Sequence, residues 1–115
     1  MDIHIKRVYD PPAPGDGTRI LVDRLWPRGL TKEKAKVDLW LKDVAPSTGL
    51  RKWFAHDPAR WAEFETRYHA ELKHHSEPLA LLQQAAAKGT ATLVYGARDQ
   101  QHNEAVVLQK LLQQH

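Results

Sequence analysis

Thr90-Ala91-Thr92-Leu93-Val94-Tyr95-Gly96-Ala97 is a short apolar run rich in β-formers, and it reads as the clearest strand in the chain. Its neighbours give it meaning. On the amino-terminal side, Leu79 to Ala87 has helical composition and Gly89 supplies a stop. On the carboxyl side, Asp99 is positioned to cap a final helix that buries Val106, Leu108, Leu111 and Leu112. A buried strand between two helices is the unit of an α/β fold.

The same alternation extends back to the start. Ile3 to Tyr9 has an imperfect period of two and reads as a first strand. The loop Asp10-Pro11-Pro12-Ala13-Pro14-Gly15-Asp16-Gly17 follows, stiffened by proline. Arg19 to Leu25, around Ile20-Leu21-Val22, reads as a second strand ended by Trp26-Pro27. Thr31 is placed to cap a short helix over Lys32 to Lys36, and the alternation from Val37 to Val44 favours a third strand. Ser47 or Thr48 begins a helix through Leu50, Trp53 and Phe54. Asp57-Pro58 begins another, with Trp61, Phe64, Tyr68 and Leu72 as its apolar stripe. Ser76-Glu77-Pro78 breaks it and starts the helix over Leu79 to Ala87. The expected architecture is one compact α/β domain over residues 1–115, with a small, mostly parallel sheet of about four strands flanked by helices.

Composition narrows the chemistry. The 115 residues include no cysteine, which removes disulfides, thiolate nucleophiles, iron–sulfur clusters and Cys-based zinc sites. No segment approaches the roughly 18 consecutive apolar residues of a membrane span. The opening residues carry Asp2, Lys6 and Arg7 without an apolar run, so a signal peptide is not expected and the chain reads as cytoplasmic. Net charge is +3, and it lies in the first half: residues 1–57 hold 11 Lys/Arg against 8 Asp/Glu, residues 58–115 six against six.

Two polar clusters fall at expected strand ends, where open α/β sheets bind ligands. The first is Arg24-Leu25-Trp26-Pro27-Arg28-Gly29. Arg24 and Arg28 suit a carboxylate or phosphate, and Trp26 offers a stacking face. The plainer alternative pairs Arg24 and Arg28 with Asp23, Asp38 or Asp43 and puts Trp26 in the core. The second is Tyr95-Gly96-Ala97-Arg98-Asp99-Gln100-Gln101-His102-Asn103, at the opening of the last helix. Arg98 adds charge, Tyr95 an apolar wall, Asn103 a ligand-orienting amide, and His102 with Asp99 a proton-transfer pair. Alternatively Asp99 only caps the helix while Arg98 and His102 are surface residues. Arg7, at the end of the first strand, would join both clusters on one rim.

Other constellations are weaker. His56-Asp57 resembles an acid–base pair, but adjacent residues seldom face each other and Asp57 has a capping role. The seven histidines form no HExxH pattern or other ligand spacing, so no metal and no cofactor is expected. No nucleophile elbow, Walker loop or complete dinucleotide fingerprint is present. Of Trp26, Trp40, Trp53 and Trp61, most are expected in the core.

Several stretches resemble the YeaO-like family of small bacterial proteins, part of a wider group known only as a domain of unknown function. They are Val8-Tyr9-Asp10, Val22 to Gly29, Asp38-Leu39-Trp40-Leu41-Lys42, Ala45-Pro46-Ser47, Leu50 to Phe54, His56-Asp57-Pro58 with Trp61, and Ala97-Arg98-Asp99 with His102-Asn103. The resemblance runs from Ile3 to Leu112 and implies a compact intracellular α/β domain without supplying a reaction. Longer relatives in the wider group carry Cys and Glu at the end of the last strand, then a Cys-His-Arg run. Those places fall here on Tyr95, Ala97 and Asn103-Glu104-Ala105, so such chemistry does not carry over.

The leading expectation is a small anionic ligand bound at the strand carboxyl ends by Arg7, Arg24, Trp26, Arg28, Tyr95, Arg98 and Asn103, with enzymatic turnover left open. Nucleic-acid binding is the second reading, from the high pI, Lys32-Glu33-Lys34-Ala35-Lys36 and Arg51-Lys52. A ligand-free interaction module or homodimer, using apolar surface on the last helix, is the third.

Overall fold

The computed structural model describes residues 2–114. Four strands, β1 (Ile3–Arg7), β2 (Thr18–Leu21), β3 (Leu39–Trp40) and β4 (Ala91–Tyr95), form one sheet in the order β1-β4-β2-β3, with every pairing parallel. Five helices accompany them: α1 (Lys32–Ala35), α2 (Thr48–Phe54), α3 (Trp61–His74), α4 (Ser76–Ala86) and α5 (Glu104–Gln113). The α/β class and the parallel sheet are as the sequence indicates.

β4 is central because it can be. All five of its residues are buried, as befits a strand paired on both edges and covered on both faces. Ala91, Leu93 and Tyr95 join Ile3, Ile20 and Val22 against α2 to α5 in the main core. Val94 faces the other way, with Leu21, Val8 and Ala35, onto a smaller cluster that includes Trp26, Leu30 and Val37. The crossover from β3 to β4 is made by α2, α3 and α4, long enough for a parallel pairing. On α3, Phe64, Tyr68 and Leu72 are buried, and Phe64 stacks on Phe54 with ring centroids 4.4 Å apart.

Several boundaries differ from the sequence reading. The third strand is only Leu39–Trp40, because Lys42–Val44 coils into a 3₁₀ turn once Leu41 has donated its N–H to the Leu21 carbonyl. β1 ends at Arg7 and β2 at Leu21, short of Tyr9 and Leu25. Asp57 caps a 3₁₀ turn over Pro58–Arg60 that leads into α3. α4 begins at Ser76, since Pro78 is tolerated in a first turn whose N–H groups lack helical partners. The last helix is capped by Asn103, whose side chain accepts from the Val106 N–H; Asp99 instead closes the preceding turn by accepting from the Gln101 and His102 N–H groups.

The second face of the sheet is covered mostly by polar chemistry. Arg19, 3% exposed, lies under α1 and donates to the carbonyls of Ala35 and Lys36. Its guanidinium meets Asp16 at 2.6 Å, and Lys6 reaches the same carboxylate at 3.0 Å. Gly17 threads past β4 at φ +62°, where a Cβ would sit 2.1 Å from the Thr90 carbonyl oxygen.

Burial works to raise the pKa of Asp16, but the Ala13 N–H, Lys6 and Arg19 outweigh it and hold the carboxyl below its ordinary value. A carboxylate with a lowered folded-state pKa stabilises the fold at any pH above its unfolded value, near 4, and that contribution is lost as pH falls through the folded value. Asp16→Asn is therefore expected to lower the unfolding free energy by about 1–3 kcal/mol at pH 7. In urea titrations the gap to the parent narrows once pH drops below about 4.

Candidate functional site

The chain diverges at the carboxyl ends of β2 and β4. α1, which follows β2, packs with Leu21 and Val94 on one face, whereas α5, which follows β4, lies over β1 and β4 on the other. Such a divergence opens a crevice between neighbouring parallel strands. Here it is a cleft of about 510 Å³ lined by Asp23, Arg24, Leu25, Ala45, Pro46, Thr48, Arg51, Lys52, His56, Gly96, Ala97 and Glu104.

The floor holds two carboxyl groups. Asp23, two residues beyond β2, accepts the Gly96 N–H at 2.8 Å, and its own carbonyl accepts from the Trp40 indole at 2.8 Å. Gly96 permits the first contact: a Cβ there would lie 3.0 Å from the Asp23 oxygen. Glu104 opens α5 and lines the same cleft close to Asp23. Removal from water pushes the Glu104 carboxyl well above its usual range, and the hydrogen bond and charge of Asp23 push the same way.

The walls are basic. Arg24 is fixed by donating to the carbonyls of Ala45 at 3.0 Å and Pro46 at 3.3 Å. α2 starts where the Ser47 hydroxyl accepts from the Leu50 N–H, and this places Arg51 and Lys52 along the cleft. Neither is in an ion pair among the described residues. His56 follows α2 at φ +56°, directly after Ala55 at φ +49°. Two successive non-glycine residues in the left-handed region cost on the order of 1 kcal/mol or more each, and the conformation turns His56 toward the cleft instead of toward Asp57.

Of the residues expected from the sequence to bind the ligand or transfer a proton at the strand ends, Arg24 alone lines this cleft. Arg7 donates to the Ala97 carbonyl at 2.9 Å and lies over the Tyr9 ring. Trp26 donates to the Leu30 carbonyl at 2.7 Å and packs edge-on to Trp40, so it is held within the smaller cluster. Arg28 is exposed, and its backbone carbonyl accepts from Tyr9. Tyr95 is 2% exposed beneath Asn103, itself buried as the cap of α5. Arg98 is exposed. His102 and Asp99 do pair, at 2.9 Å, with the imidazole edge against Trp61, but outside the cleft. Of Arg7, Arg24, Arg28, Arg98 and His102, expected on one rim, only Arg24 lines the cleft, and Arg7 reaches its edge through the Ala97 carbonyl.

Asp23, Glu104, Arg51, Lys52 and His56 were not read as one site. Glu104 was hidden by the misplaced helix start, since a cap at Asp99 makes it an interior residue. The basic segments of α1 and α2 pack on opposite faces of the sheet, so they do not combine into a single basic surface. On α5, Val107, Leu108 and Leu112 are buried, whereas Val106 and Leu111, expected on the buried side, are half-buried; among the described residues the exposed large apolar ones are Tyr9, Leu25, Leu39, Trp40 and Leu81. A larger groove of about 850 Å³ lies across Arg24, but Ser47 and Glu71 already satisfy each other there at 2.5 Å, as do the Tyr68 hydroxyl and the Val44 carbonyl. No helix among the described residues is long and apolar enough to cross a membrane.

The fold and the cleft define a small α/β domain with a polar crevice at its strand ends. The chain belongs to the DUF488-N3i family, described as the inactive DUF488-N3 subclade, whose model matches residues 2–115. It is 46% identical over 108 residues to the uncharacterized protein YeaO of Escherichia coli K12, covering 94% of each chain. It is 44% identical over 110 residues to the uncharacterized protein Rv3073c of Mycobacterium tuberculosis, covering 96% of this chain and 92% of the relative. No solved structure matches it.

Because the folded chain keeps the Glu104 proton at pH values where the unfolded chain has lost it, stability from this group is full below about pH 4 and declines as pH rises toward the folded value. Glu104→Gln cannot ionise. Its unfolding free energy, measured by urea titration between pH 5 and 8, should rise relative to the parent by up to about 1.4 kcal/mol per pH unit. A pH-independent difference would show that Glu104 is ionised in the fold.

Proposed function

We propose that the chain is a small-ligand binding protein that takes an anion, bearing phosphate or carboxylate, in the cleft between β2 and β4. One observation carries the reading. Arg24, Arg51, Lys52 and His56 line a single cleft, so three permanent positive charges face its two acids, one of which, Glu104, is pushed toward its neutral form by burial. Guanidinium and ammonium donors in a half-enclosed site favour an anion, because charge-assisted hydrogen bonds form there with less competition from water. Arg24 needs no rearrangement, being held by two carbonyls already. The description of the family as inactive, and the lack of any cysteine, favour binding over turnover.

The test is thermal unfolding with millimolar inorganic phosphate, pyrophosphate and malonate. An anion at ten times its Kd stabilises the native state by about 1.4 kcal/mol, a midpoint rise on the order of 5 °C. The double variant Arg51→Ala/Lys52→Ala should bind at least about tenfold more weakly, while its midpoint without anion stays near the parent's, since both side chains are exposed. No rise with any of the three anions would overturn the reading.

A further inference from the structure

We infer that the ligand carries hydroxyl groups beside its anionic group, and so belongs to the class of phosphorylated sugars and polyols. This rests on the anion-binding reading above and adds what the floor of the cleft requires. A carboxyl pair offers several acceptor sites, roughly four lone-pair positions per ionised group. The Gly96 N–H occupies one of them, and both side chains line the cleft. A bare carboxylate has only acceptors to present to this floor, a bare phosphate has no donor beyond its P–OH hydrogen, and both are repelled by Asp23. A hydroxyl presents a donor, and a carboxylate accepting from a sugar hydroxyl is the standard chemistry of ribose recognition in α/β crevices.

An ammonium group would also answer Asp23, but the surroundings disfavour it. Arg24, Arg51 and Lys52 line the same space, so a further cation meets three positive charges there. The arrangement therefore divides in two. The basic wall from α2 receives the anionic group, and Asp23 with Glu104 receives neutral donors. The volume, about 510 Å³, falls within the roughly 300–1,000 Å³ of small-molecule sites.

Isothermal titration of the parent chain with inorganic phosphate, glucose 6-phosphate, ribose 5-phosphate, glycerol 3-phosphate, glucose and glutamate tests this. At least one of the phosphorylated polyols should bind about tenfold tighter than inorganic phosphate, and glucose alone should give no measurable binding at millimolar concentration. Glu104→Ala and Asp23→Asn should each cut that advantage to about threefold or less, while phosphate itself binds at least as tightly as to the parent. If phosphate binds but no phosphorylated polyol binds tighter, this inference falls and the anion site stands. If neither phosphate nor the phosphorylated polyols bind, both fall. Preference for glutamate overturns the assignment in favour of an amino acid. Should Asp23→Asn fail to fold, the ranking of ligands on the parent decides alone.

Discussion

The pairing of β4 on both edges is the constraint from which the rest of the molecule follows. Residues 91–95 hydrogen-bond to β1 on one side and, up to Val94, to β2 on the other, so none of their backbone groups needs water. A strand in that position has both faces covered and is apolar throughout. It must also be left by a short turn before α5. That turn, 96–103, carries Gly96 against Asp23 and ends at the Asn103 cap, which sets Glu104 in the lining of the crevice. The site is thus a product of how the central strand ends.

The two faces of the sheet solve burial differently. The helical face uses aromatic and aliphatic packing, with Phe54, Trp61, Phe64 and Tyr68 in a continuous chain of ring contacts. The other face has a four-residue helix and a proline-rich loop, too little apolar cover for four strands. Arg19 fills the gap with its guanidinium, which satisfies the carbonyls at the end of α1, and Asp16 neutralises it. Such a pair adds little beyond what apolar packing would give, but removing one member leaves a buried charge. The polar network therefore makes this face specific more than it makes it strong.

Much of this was legible in the sequence. The apolar run at 91–95, the stripe of Phe64, Tyr68 and Leu72, and the caps at Thr31 and Ser47 are local patterns, and local patterns survive folding. The ends of the elements were less legible. Asp99 and Asn103 are both good caps, and only tertiary packing of Tyr95 under Asn103 selects the second. Sequence reasoning also favoured arginines next to apolar strands, yet Arg7 is used to hold the Ala97 carbonyl. The pairing of Asp23 with Glu104 joins residues far apart in the chain, and no spacing rule reaches that distance.

Asp23 belongs both to the fold and to the cleft. Its carbonyl accepts from Trp40 beside β3, its carboxylate accepts from Gly96 after β4, and its own position extends β2, so three strands meet at one residue. A ligand hydrogen-bonded to that carboxylate would couple its binding to the strand ends directly. Glu104 differs: it lies at the start of a helix whose cap is supplied by Asn103, and its carboxyl is not needed to begin α5. Stability and recognition are therefore separable at Glu104 and inseparable at Asp23. A carboxyl that the helix does not require, pushed toward its neutral form by burial beside Asp23, is placed at a cost to stability above pH 4.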